Sequence, residues 1–136
     1  MDVLITNQYQ ETTFDPVNRI HQLTAKPATI RMSDEGFKEM LIDWKETVLK
    51  THPTYLLVNN RFLDFPISPT LQAWTMANII PALRLDSVKK LCFVMPMEFI
   101  SRLSLSQLSY DQAQMIENVK MAYFDNLERA HEWLLE

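Results

Sequence analysis

The side chains best suited to chemistry in this chain are His21, His52, His131 and Cys92, together with the carboxylates scattered around them. A metal site draws three or four such groups together, commonly as pairs at helical or strand spacing, and the three histidines are too far apart for that. Glu128-x-x-His131 does put a carboxylate and an imidazole on one helical face. The di-iron arrangement, however, uses that motif twice with two further carboxylates, and here it occurs once. Cys92 stands between Leu91 and Phe93, where burial raises a thiol's pKa and keeps it inert. The only glycine, Gly36, excludes the glycine-rich loops that cradle phosphates. The expectation is therefore no catalytic residue, no metal and no cofactor, and a chain that is not an enzyme.

With catalytic signatures lacking, a loop becomes the best pointer to function. The apolar run Tyr55 to Val58 halts at Asn59 and Asn60, and Ser68-Pro69-Thr70 opens an apolar series from Leu71 to Leu83. That is a strand, a long loop and a helix start. In sheets with helical crossovers, loops that leave the carboxyl ends of strands are where ligands and partners bind. The candidate contact residues are Asn59, Asn60, Arg61, Phe62, Asp64, Phe65 and Ser68. Two readings compete for the apolar ones. Phe62, Leu63, Phe65 and Ile67 either fold back as a lid over the core, or stay partly exposed between Arg61 and Asp64 as an anchor-and-rim surface. Because Asn59 and Asn60 leave the sheet and Pro66 and Pro69 restrict the return, Phe62 or Phe65 is expected to keep its ring at least partly exposed.

Composition bounds the partners. At 136 residues with 47% hydrophobic content, the chain suits a single domain over residues 1–136 with one core. A formal net charge of -4 and no basic run longer than Lys89-Lys90 give no footprint for nucleic acid or an anionic membrane surface. The start has no basic stretch ahead of an apolar one, and no run is long enough to span a bilayer. With one cysteine, which cannot pair internally, a cytoplasmic location is expected.

The elements that must position the loop can be read in order. Val3 to Asn7, Tyr9 to Phe14 and Arg19 to Ala25 favour an opening meander of two or three strands, with a turn at Asp15-Pro16. Ser33 caps a helix whose Phe37, Met40, Leu41, Trp44 and Val48 form the apolar stripe, and His52-Pro53 stops it. After the strand and loop, Ala73, Met76, Ala77 and Ile80 should line the inner face of the second helix, broadened by Leu71 and Trp74. Leu91 to Met95 suits a central strand covered on both faces. Met97 to Leu103 and Ser106 to Asn118 read as two short helices, weakened by serines. Val119 to Phe124 reads as a last strand, and Asp125 with Glu128 as the cap of a final amphipathic helix through Leu127, Ala130, Trp133 and Leu134. Met76, Met95, Met97, Met115 and Met121 suit core packing or the lining of a hydrophobic cavity.

Tyr55 to Asn60, Ile67-Ser68-Pro69-Thr70-Leu71-Gln72-x-Trp74, Lys89 to Val94 and Phe124-Asp125 to Ala130-x-x-Trp133-Leu134, in this order, resemble the STAS-like proteins. These are relatives of anti-sigma-factor antagonists, here most similar to small bacterial members, with a fold related to CRAL-TRIO domains. The resemblance covers roughly Arg19 to the C-terminus. It implies an α/β fold on the border of α+β: a meander, then βαβαβα crossovers, in one mixed sheet of four or five strands with helices mainly on one side. Antagonists of the phosphoswitch type carry a serine in an Asp-Ser-Ser-Gly turn, and Asn59 to Thr70 has no such tetrapeptide, so Ser68 is expected to act as a helix cap. The resulting expectation is a non-enzymatic regulatory or protein-interaction domain that meets a protein partner or a second copy as a homodimer. The alternative is a carrier or sensor of a small apolar or lipid-like ligand.

Overall fold

The computed structural model describes residues 1–115 and 118–136, save the side chains of residues 109 and 111–115. Three strands open it, β1 (Asp2–Thr6), β2 (Gln10–Asp15) and β3 (Ile20–Ala25), paired as an antiparallel meander. The β2–β3 turn forms because Asp15 Oδ1 accepts the amides of Val17 at 2.9 Å and Asn18 at 3.2 Å. These bonds, the Asn18 amide foremost, hold the Asp15 carboxyl below its ordinary pKa. The register of β1 shifts between Val3 and Ile5, and a bulge of this kind breaks the alternation of inward and outward side chains.

Helix α1 (Asp34–Thr51) starts where the Ser33 hydroxyl accepts the Gly36 amide at 3.0 Å. It ends at His52, which takes a left-handed φ of 45° just before Pro53. Its buried stripe is Phe37, Met40, Trp44 and Val48, with Leu41 half-buried beside it. Strands β4 (Tyr55–Asn59), β5 (Lys90–Val94) and β6 (Lys120–Phe124) then add one after another, each parallel to its predecessor. All six strands lie in chain order in one mixed sheet. That is one strand beyond the four or five expected, because every segment of the meander joins it.

This order decides where the helices go. A right-handed crossover that always steps to the same side leaves its helix on the same face each time. Helices α1, α2 (Pro69–Asn78) and α3 (Phe99–Met115) make the three crossovers. Phe37, Trp44, Leu71 and Leu105 from them pack with Leu23, Leu56, Leu91 and Phe93 of the sheet in the larger core. Helix α4 (Leu127–Leu134) follows the last strand and closes the opposite face, setting Ala130 and Leu134 against Leu57, Cys92 and Val94. Since the strand order never reverses, the parallel part of the sheet has no switch point, the place where open α/β sheets form their ligand crevice. Among the described residues no helix is long and apolar enough to cross a membrane.

Three local expectations need correction. One helix, α3, replaces the two short ones; residues 116–117 of the expected second helix lie outside the described residues, and Asn118, its expected end, takes a left-handed φ of 67°. The serines do not interrupt it, because Ser104 and Ser106 return their hydroxyls to the carbonyls of Ser101 (3.1 Å) and Arg102 (2.8 Å), bonds a helix accommodates. On α2, Ala73 and Ala77 are exposed while Leu71, Gln72 and Thr75 are buried, so the inner face is rotated from the apolar stripe. The cap of α4 is Asn126, whose Oδ1 accepts the amides of Glu128 (2.7 Å) and Arg129 (3.2 Å). Asp125 is drawn away by Arg102, with Nη1 to Oδ1 at 2.9 Å.

Candidate functional site

The loop between β4 and α2 crosses the carboxyl end of the parallel strands, where backbone groups lose their sheet partners and must find others. Side chains from several elements supply them. Asn59 Oδ1 accepts the Arg61 amide at 3.2 Å. Thr29, in a 3-10 turn at Pro27–Arg31, accepts the Asp64 amide at 2.9 Å through Oγ1. Ser101 and Ser104 of α3 accept the amides of Phe65 (2.8 Å) and Ile67 (2.9 Å). Gln72 Nε2 donates to the Ile67 carbonyl at 2.9 Å, which is why a glutamine faces inward on α2. The Ser68 hydroxyl caps α2 by accepting the Leu71 amide at 3.2 Å. Sequence periodicity missed Thr29, Gln72, Ser101 and Ser104 because it counts apolar side chains, whereas this loop is held by polar ones.

The loop is thereby both lid and surface. Leu63, Phe65 and Ile67 are buried in the larger core. Phe65, a candidate contact residue, is only 7% exposed and stacks on Phe37 with ring centroids 5.1 Å apart, so it closes the core instead of facing outward. Phe62 is the ring left outside, 50% exposed with the Arg61 guanidinium 5.6 Å from its centroid. Asn59 and Asn60 are buried at the strand end, where the Asn60 amide still donates to the Val94 carbonyl at 2.9 Å. Arg61 is exposed and Asp64 half-buried, on either side of Phe62. Ser68 is exposed and spends its oxygen on the cap.

A second set of residues, none of them among the candidate contact residues, continues this surface. The Met97 amide donates to the Arg61 carbonyl at 3.2 Å, and Met97 lines a shallow groove with Phe62. From there α3 begins, with Phe99 72% exposed and Ile100 and Leu103 half exposed. At about 100° per residue, Phe99, Leu103, Ile100 and Tyr110 share one stripe, roughly opposite the buried Ser101, Ser104, Leu105 and Leu108. The signal was present as large apolar residues four and eleven positions apart. It was masked because apolar residues lie on both sides of the helix.

The interior between sheet and helices holds a cavity of about 60 Å³ lined by residues such as Leu23, Met40, Trp44, Asn60 and Leu108. Ligand pockets run to about 300–1,000 Å³. Met76, Met95, Met97 and Met121 are not among its lining residues, and the Met115 side chain lies outside the described ones. An open concavity of about 740 Å³ sits at the other end of the sheet, by Arg84, Lys89 and Asn118, away from the carboxyl-end loops.

The reactive side chains stand apart from the loop. Burial pushes the Cys92 thiol up to about 12, the direction expected from its neighbours. His21 is buried against Trp44, its Nε2 lies 2.7 Å from Thr47 Oγ1, and burial pulls its pKa down to about 4. Thr47 Oγ1 already donates to the Trp44 carbonyl at 2.9 Å, so it accepts from the imidazole and fixes the proton on Nε2. Among the described residues no three His, Cys, Asp or Glu side chains are placed to hold a metal ion. The chain matches no family model, no curated protein and no solved structure in the three comparisons made.

Proposed function

We propose that this chain is a non-enzymatic regulatory or protein-interaction domain of the STAS-like type. Its contact face is the outer surface of the β4–α2 loop, centred on Phe62, and it extends over Met97 and the outward stripe of α3. One observation carries the reading: Phe62, Met97, Phe99, Ile100, Leu103 and Tyr110 are each at least half exposed. With three aromatics at about 150–250 Å² each when fully exposed and three somewhat smaller side chains, this exposure amounts to roughly 600 Å², at the upper end of the about 300–600 Å² of the largest apolar patch on an ordinary monomer. The mixed six-stranded sheet with an opening meander is compatible with STAS-like architecture and supports the type. The hydrogen bonds that the loop amides donate to Thr29, Ser101 and Ser104 fix the loop's course, and a preorganised surface loses less entropy on binding. The carrier alternative requires an apolar cavity several times larger than the interior one of about 60 Å³, and the open concavity of about 740 Å³ is rimmed by the charged Arg84, Asp86 and Lys89.

A photo-crosslinking amino acid placed at Phe62 in the native cell tests this. A discrete protein adduct is expected from that position and not from Val17, which is more solvent-exposed but lies in the β2–β3 turn. Equal labelling at both positions, or none at Phe62, would overturn the proposal.

A further inference from the structure

Resting on that contact face, we infer that its occupant is a second copy of this chain, joined through antiparallel pairing of the two α3 helices about a two-fold axis. Three features of the helix point to a copy instead of an unlike partner. The first is charge. Arg61 and Arg102 share the rim with Asp64, Glu98 and Asp125, so neither sign dominates and the rim does not call for a partner of strong opposite charge. Three of these charges are already engaged: Arg102 pairs with Asp125, and Glu98 accepts the amides of Ile100 (2.7 Å) and Ser101 (3.1 Å) at the start of α3. Antiparallel pairing carries Arg61 and Asp64, which flank Phe62 beside the start of α3, to the Tyr110 end of the partner's helix.

The second feature is the pattern along the stripe. Phe99 and Tyr110 stand at its two ends, with Leu103 and Ser106 between them, each four residues or so from the nearer end. Turned end for end about its midpoint, the stripe lays Phe99 on the partner's Tyr110 and Leu103 over the partner's Ser106. A large side chain then sits on a small one. Burying Ser106 there strands no hydroxyl, since its Oγ donates to the Arg102 carbonyl within the helix. A parallel pairing would instead put Arg102 near Arg102 and align the two helix dipoles, both unfavourable.

The third is area. A stable interface buries about 800 Å² per partner, and the apolar stripe with its charged rim is of that order. Docking along the unpaired edge of β1 is the main competing geometry, because edge strands offer free backbone groups and Val3 is exposed there.

Sedimentation velocity of the full chain from about 1 to 100 μM distinguishes these, using wild type, Leu103→Glu and Val3→Glu, with thermal melts confirming that each variant is folded. The expected result is a reversible dimer for wild type and Val3→Glu. Leu103→Glu should associate at least about 30-fold more weakly, the effect of losing a central interface side chain, at an unchanged melting temperature. Should Leu103→Glu fail to fold, Ser106→Arg, which adds bulk to an exposed position, is expected to give the same loss. A wild-type monomer at 100 μM, a dimer that survives at Leu103→Glu and Ser106→Arg, or one broken by Val3→Glu would overturn the two-fold pairing. A monomer that still yields an unlike-protein adduct at Phe62 would overturn the copy while leaving the interaction reading intact.

Discussion

The Ser101 hydroxyl accepts the backbone N–H of Phe65 at 2.8 Å. A serine on the inner face of α3 thereby lets an apolar loop lie over the end of the sheet with its amides satisfied.

Removing that acceptor should therefore be costly. Ser101→Ala leaves the Phe65 amide buried without a partner, and each such loss costs about 1–3 kcal/mol. Ser104→Ala should act likewise on the Ile67 amide. Urea unfolding of both single variants and the double checks this, and a stability within about 0.3 kcal/mol of wild type for all three would contradict the account of the loop.

Phe62 and Phe65 should separate cleanly. Phe65→Ser empties a buried site stacked on Phe37 and should cost about 3–5 kcal/mol, as for other large aromatics removed from cores. Phe62→Ser removes a half-exposed ring and should stay within about 0.5 kcal/mol, while weakening association. Paired melts and sedimentation runs decide whether the two rings have these different roles.

His21 should make the fold acid-sensitive. Burial favours the neutral ring, so the folded pKa falls to about 4 from an ordinary 6.5. Above pH 6.5 both states are neutral and full stability is present. As pH falls through this window the unfolded chain takes up a proton that the folded chain refuses, and about 3 kcal/mol is lost by the lower limit. Replacing His21 with Leu should flatten that part of the stability profile, since Thr47 keeps its bond to the Trp44 carbonyl. An unchanged slope between pH 6.5 and 4 would assign the acid sensitivity elsewhere.

Trp44 separates packing from polarity. Trp44→Ala should cost about 3–5 kcal/mol because the ring fills the core between α1 and the sheet. Its Nε1 is buried without a hydrogen-bond partner among the described residues. Trp44→Phe, which removes that N–H and some volume, should therefore be much milder than the alanine change when the two are compared by denaturant unfolding.

Much of the fold was legible because its signals are local. Ser33, the Phe37 to Val48 stripe and the run Leu91 to Met95 each specify their element without help from distant residues. The inner faces of α2 and α3 were not legible, because Gln72, Ser101 and Ser104 face inward to serve a loop that comes together only in three dimensions. The candidate site was half legible for the same reason. Pro66 and Pro69 said that the loop returns sharply, but which of Phe62 and Phe65 turns outward depends on Phe37, which lies far away in sequence.

The central claim is that this domain works through a surface and not through an enclosed ligand. Native mass spectrometry of the chain purified from its own cells tests it most directly. The account predicts the mass of two chains with nothing added. A single chain carrying a stoichiometric small apolar molecule would contradict it.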